Sequence, residues 1–114
     1  MANTFKNNTK SSLVTATITD GSATVVTCGS TATLVILSIL VSNKTGSSAN
    51  ADVYLDRATG DDVYLIRNAP IPAGSTLEII SGNKIILQSS DKIQARSDTA
   101  TALDMTVSYL EQTP

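Results

Sequence analysis

Histidine and tryptophan are missing from this chain, and cysteine occurs once, at Cys28. Without histidine there is no imidazole general base, and the commonest zinc ligand is gone. One cysteine excludes an internal disulfide and any cluster of thiolates around a metal. That cysteine sits in "VVTCGST", just ahead of a glycine, and reads as a small buried hydrophobe rather than a reactive thiol. Aromatic residues make up 4% of the sequence, too few for a platform that stacks bases or sugars. Charge is sparse as well: eight Lys and Arg stand against ten Asp and Glu, so no basic field draws nucleic acid. The longest apolar run, Leu34–Val41, is far too short to span a bilayer. The opening "MANTFKNNTK" has no apolar segment of a secretory signal, so the expectation is a soluble protein made in the cytoplasm, with no membrane partner.

What is present is β-forming. The 114 residues suit one domain with one core. Residues 1–12 are polar apart from Phe5 and read as an extended arm that flops or docks on a neighbour; 13–114 read as a single β-sandwich domain. "LVTATIT" (Leu13–Thr19) alternates with period two and is expected as a strand, followed by a turn at Asp20–Ser22 and a second strand in "ATVVTC".

Leu34–Val41 is apolar at both parities, with Leu34, Ile36 and Leu40 on one side and Val35, Leu37, Ile39 and Val41 on the other. A strand apolar on both faces lies between two layers. No helix is at hand to supply the second layer, so a subunit interface is favoured over an internal explanation.

"DVYLDR" (Asp52–Arg57) and "DVYLIR" (Asp62–Arg67) read as two sides of one antiparallel hairpin, with Val and Leu inward and Tyr54 and Tyr64 on the opposite face. "NAPIPAGS" is expected to end one strand and cross to the next at the rim of the sandwich, with Ile71 tucked inward. "STLEII" and "KIILQ" are expected as a hairpin turning at Gly82–Asn83. In "LDMTVSYLE", Leu103, Met105, Val107 and Tyr109 share one face. Eight or nine short strands separated by turns indicate an all-β fold, an antiparallel β-sandwich of jelly-roll type.

No chemistry assembles from these residues. No serine or cysteine has a partner base in a recognisable arrangement, and no phosphate-binding glycine motif occurs. Asp56, Asp61 and Asp62, with Asp52, offer an oxygen-only cluster, but their spacing fits turn chemistry better than a calcium loop. Glu78 and Asp104 lack the aromatic cleft that a glycosidase pair needs. No catalytic residue, cofactor or metal is assigned.

From Asp52 onward the sequence carries a recognisable order. An apolar-tyrosine strand leads into P-x-P-A-G-S-x-L (Pro70–Leu77), then G-x-K-I-x-L (Gly82–Leu87), D-x-I (Asp91–Ile93) and a last strand ending Ser108-Tyr109-Leu110-Glu111. With the opening "MANTFKN", this resembles a family of small virion structural proteins of tailed bacteriophages, especially phages of cyanobacteria and other aquatic bacteria. Departures fall in turns: Thr101-Ala102-Leu103-Asp104 replaces a Ser-Ser-Leu-Asp form, and Gln88–Asp91 lacks the usual acidic-Gly version. The resemblance implies a non-enzymatic component of the virion that cements or decorates the capsid, or else a neck, collar, tail or fibre attachment piece. It offers no catalytic residues. The implied partners are further copies of the chain, as a homotrimer, and other virion proteins. The candidate contacts are Phe5, Val35, Leu37, Ile39, Val41, Tyr54 and Tyr64, the two tyrosines also serving a receptor- or glycan-binding alternative.

Overall fold

The computed structural model describes residues 2–114 and, within them, every side chain except those at positions 81 and 82. The described residues run through eight strands: β1 (Ala2–Lys10), β2 (Thr24–Thr27), β3 (Thr33–Asn43), β4 (Ala49–Asp56), β5 (Val63–Ile71), β6 (Thr76–Leu87), β7 (Lys92–Ser97) and β8 (Leu103–Thr113). They form two four-stranded antiparallel sheets, β1-β8-β3-β6 and β2-β7-β4-β5. Among the described strands, only β4 and β5 are both consecutive and neighbours in one sheet. Every other connection crosses between the sheets, which is the strand order of an eight-stranded jelly roll. The expected all-β sandwich is the fold observed.

The core follows from alternation. Leu103, Met105, Val107 and Tyr109 of β8 all point inward and are buried, while Asp104, Thr106 and Ser108 face out. They meet Ile36, Ile39 and Val41 of β3 and, from the second sheet, Val53, Ile93 and Ala95. Cys28 is buried in the same cluster, its thiol donating to the carbonyls of Ala32 and Leu87.

The corner between β5 and β6 lies where the sequence placed it. β5 is an edge strand, so Pro70 can occupy it opposite Asn50 although it has no N–H to donate. Ile71 is buried, and Pro72–Ser75 then turns the chain from one sheet to the other. The Ser75 N–H donates to the Pro72 carbonyl at 3.1 Å, and Gly74 takes φ +68°, as the third residue of a type II turn requires. Asn43 Nδ2 donates to the Ile71 carbonyl and ties the end of β3 to this corner.

Four expectations are corrected. Ala2–Lys10, read as an arm outside the domain, is paired residue by residue with β8 and forms the edge of the first sheet. Its polar sequence hid this, because an edge strand with no second layer over it needs no apolar alternation. Leu13–Thr19 is not a strand but an irregular strap. Leu13 and Ile18 are buried, and its backbone partners are Leu103 and Ser97 rather than a continuous ladder.

"SGN" does not turn the chain. β6 runs unbroken from Thr76 to Leu87, and positions 82–84 form a bulge opposite Leu37, between the pairs Ile36–Ile85 and Ser38–Ser81.

The fourth correction concerns β3. Ile39 and Val41, expected at a subunit contact, are both 0% exposed and belong to the core. Against β8 the register slips between Ile36 and Ser38, so Leu37 is an extra residue. One extra residue switches the parity, and Leu34, Ile36, Ile39 and Val41 all face inward.

Candidate functional site

Two surfaces stand out, one on the outer face of each sheet. On the first sheet, directly paired residues share a face, and the ladder aligns Phe5 with Leu110, Leu110 with Val35, and Val35 with Ile86. Since Leu34 and Ile36 point inward, this row of four apolar side chains crosses the outer face from one edge of the sheet to the other. Its ends are open: Phe5 is 77% and Ile86 48% exposed. Leu37, lifted by its bulge, lines a shallow cavity of about 270 Å³ with Phe5, Asn7 and Ser108. The surrounding outward positions are mostly uncharged: Asn3, Thr33 and Gln112 on one side, Asn7, Ser38 and Ser108 on the other.

β1 itself is held at several points. Lys6 Nζ donates to Glu111 at 2.8 Å, a hydrogen bond and charge pairing that raise the lysine pKa. Asn8 accepts from Tyr109 Oη and donates to the Val25 carbonyl on β2, linking the adjacent edges of the two sheets.

On the second sheet the strap arches over the outer face and roofs a cavity of about 310 Å³. Its floor holds a partly buried ion pair: Arg96 Nη1 donates to Asp52 Oδ2 at 2.9 Å, with the carboxylate buried and the guanidinium half-buried. The remaining Arg96 donors hold the roof, Nε to the Ala16 carbonyl and Nη2 to the Thr15 carbonyl. The other Asp52 oxygen accepts the Asn68 N–H at 2.6 Å. Asn68 lies at φ +50° in a bulge on β5, and this hydrogen bond compensates for the left-handed backbone there. The remaining wall is Tyr64, Arg67, Thr15, Thr17 and Ile18. The Arg67 guanidinium lies over the Tyr64 ring, 5.0 Å from its centroid, and Tyr54 meets Tyr64 edge to face at 4.9 Å. Burial pushes the Tyr54 phenol pKa up, and the nearby Asp62 and Asp56 charges add to the shift.

The expected contact residues therefore separate. Phe5, Val35 and Leu37 share the first sheet's outer face; Tyr54 and Tyr64 share the second's; Ile39 and Val41 are interior. At the hairpin, Val53 and Leu55 of β4 point inward as expected, but Val63, opposite Leu55, is left exposed past the end of the core. The aspartates disperse too. Asp52 lies under the strap and Asp62 accepts the Arg57 N–H; among the described residues no three His, Cys, Asp or Glu side chains gather as a metal site.

Sequence reasoning missed Leu110 and Ile86, whose place in the row depends on register, and it missed the joining of Asp52, Arg67 and Arg96 beneath Thr15 and Thr17. The pairing of Asp52 with Arg96 across β4 and β7 could not be read from spacing.

No family model matches the chain, and neither the curated proteins nor the solved structures provide a significant match.

Proposed function

We propose that this chain is a non-enzymatic structural protein of a virion, an oligomeric jelly-roll building block that cements or decorates a capsid. A place in the neck, collar or tail of the particle is the alternative. The observation that carries the oligomer is the apolar row Phe5–Leu110–Val35–Ile86, flanked on both sides by uncharged residues of β1, β8 and β3. Contiguous apolar surface rimmed by polar residues drives association, because covering it releases water without stranding charge.

The face is large enough. Four strands about 4.8 Å apart, with residues rising about 3.3 Å along a strand of eleven, give roughly 700 Å², near the ~800 Å² that each partner of a standard interface buries. A second route is the β1 edge, which has neither proline nor bulge, whereas the β5 edge has Pro70 and two register shifts. Symmetric repetition of modest contacts then gives durable attachment.

The placement in a virion is supported by the sequence resemblance, with the jelly roll as an architecture that viral capsid domains use and other proteins use too. Sedimentation of the purified chain is expected to show a homo-oligomer, with three copies as the sequence reading has it. Phe5→Asp combined with Ile86→Lys should give a monomer that keeps its β-type circular dichroism and a cooperative melt, at a midpoint that no longer depends on protein concentration, since both side chains are exposed in the single chain. Immunogold mapping on intact particles should find the chain on the capsid or, in the alternative, at the neck or tail. A strictly monomeric wild type, or a chain absent from particles, overturns the reading.

A further inference from the structure

The cavity on the second sheet has an unbalanced charge. Asp52 is fully engaged, one oxygen by Arg96 and the other by the Asn68 N–H. Arg96 is engaged as well, by Asp52 and the carbonyls of Thr15 and Ala16. Arg67 is different: among the described residues no carboxylate lies within ion-pair distance of it, and its guanidinium makes no hydrogen bond, resting only on Tyr64. Thr15, Thr17 and Ile18 line the cavity beside it, and among the described residues neither threonine hydroxyl has a hydrogen-bond partner.

Each of these groups asks for a different part of a ligand. A guanidinium fork matches a carboxylate through two parallel N–H donors, and stacking on an aromatic ring fixes the fork beforehand. Paired threonine hydroxyls suit the hydroxyls of a polyol, and Ile18 supplies a patch for aliphatic C–H groups. At about 310 Å³ the cavity is at the small end of ligand sites, with room for one ring and an open side through which a polymer can continue. The strap that roofs it is fixed from below by Arg96, so the walls exist before any ligand arrives.

We propose that this cavity is a binding site for a carboxylate-bearing pyranose, its carboxylate on Arg67 and its hydroxyls on Thr15 and Thr17. The site is independent of how copies of the chain associate, because it lies on the opposite sheet from the apolar row. It moves sugar recognition from the exposed Tyr54–Tyr64 hairpin to the groove alongside, where Tyr64 orients an arginine instead of stacking on the sugar.

The test is titration of the ¹⁵N-labelled full chain with sodium glucuronate, with glucose and sodium acetate as comparators. Glucuronate should shift the amides of Thr15, Thr17, Arg67 and Asn68 with a Kd on the order of 1 mM. Arg67→Lys keeps the charge and loses the fork, and should weaken binding about tenfold. Thr17→Val keeps the shape and loses the hydroxyl, and should weaken it several-fold. Both positions are exposed, so melting temperatures should match the wild type; Arg67→Gln replaces Arg67→Lys if that variant does not fold. Oligogalacturonate binding more tightly than the monosaccharide would identify a polymer as the source, and equal affinity a single sugar. The proposal is overturned if glucose binds as well as glucuronate, if acetate alone matches it, or if about 50 mM glucuronate leaves these amides unmoved.

Discussion

Asp91 gathers three segments, the β4–β5 loop and its own turn through its carboxylate and the loop at Cys28 through its carbonyl. The carboxylate accepts from Arg57 Nε at 3.0 Å, from the Ala58 N–H at 2.9 Å and from the Gln88 N–H at 3.0 Å. The β4–β5 loop is thereby fastened to the β6–β7 turn, while the Asp91 carbonyl accepts the Cys28 N–H from a third loop. Burial alone would raise the Asp91 pKa; the Ala58 and Gln88 donors, then the Arg57 charge, outweigh it and hold the group below the ordinary carboxylate value. A depressed folded pKa contributes stability that is present above the unfolded value, near 3.9, and lost as pH falls through the folded one. Urea midpoints should therefore hold steady down to about pH 5 and drop below about pH 4. Asp91→Asn should cost about 2 kcal/mol at neutral pH and flatten that acid slope. Gln94 is the opposite case. It is 1% exposed, its Oε1 has no partner among the described residues, and its Nε2 makes only long bonds of 3.2 and 3.4 Å. The Asp20 carbonyl it reaches already accepts the Ala23 N–H. Gln94→Met should leave the unfolding free energy within about 0.5 kcal/mol of wild type, because it removes a stranded acceptor together with a weak donor.

At the scale of elements, the behaviour of β3 depends on Leu37. Removing that residue leaves Ile36, Ser38, Ile39, Leu40 and Val41 in plain alternation, with every core side chain still inward. A chain lacking Leu37 should keep its β-type circular dichroism and a cooperative melt. Deleting Leu40 instead turns Val41 outward and should abolish both. The same residue shows how far the sequence could be read. That β3 is apolar at both parities was plain, and so was a strand with a second layer against each face as the usual reason. A bulge explains the pattern differently, by moving the inward set from one parity to the other halfway along, and nothing local to "LVILSILV" marks the slip. The strands with clean alternation, β8 above all, and the proline corner at Pro70–Gly74 were legible, because side-chain period and φ preference act locally. β1 and the strap were not, since long-range pairing determines both. For the candidate site, Phe5, Val35, Leu37 and Tyr64 were visible as residues. Their neighbours Leu110, Ile86, Asp52 and Arg96 required the register.

For the whole molecule, association through the apolar row should be nearly indifferent to salt, since few charges border it. Sedimentation between about 0.1 and 1 M NaCl should give the same species, whereas contacts made by exposed ion pairs would weaken across that range. The jelly-roll order joins the two sheets at both ends, through the Asp91 cluster at one and through Asn43, Ser75 and Ala102 at the other. Opening the core therefore means breaking the fold as a unit. Cys28 turns this into something measurable. Its sulfur is sealed inside the cluster, donating to two carbonyls, with a pKa raised mainly by burial. A thiol reagent in solution can reach it only during a global excursion, so the rate at which the native chain takes up label is a stopwatch for unfolding. As the sequence holds no second thiol, a cysteine placed at the exposed loop residue Ser48 would react at once while Cys28 lagged, and one sample would time surface chemistry and core opening together.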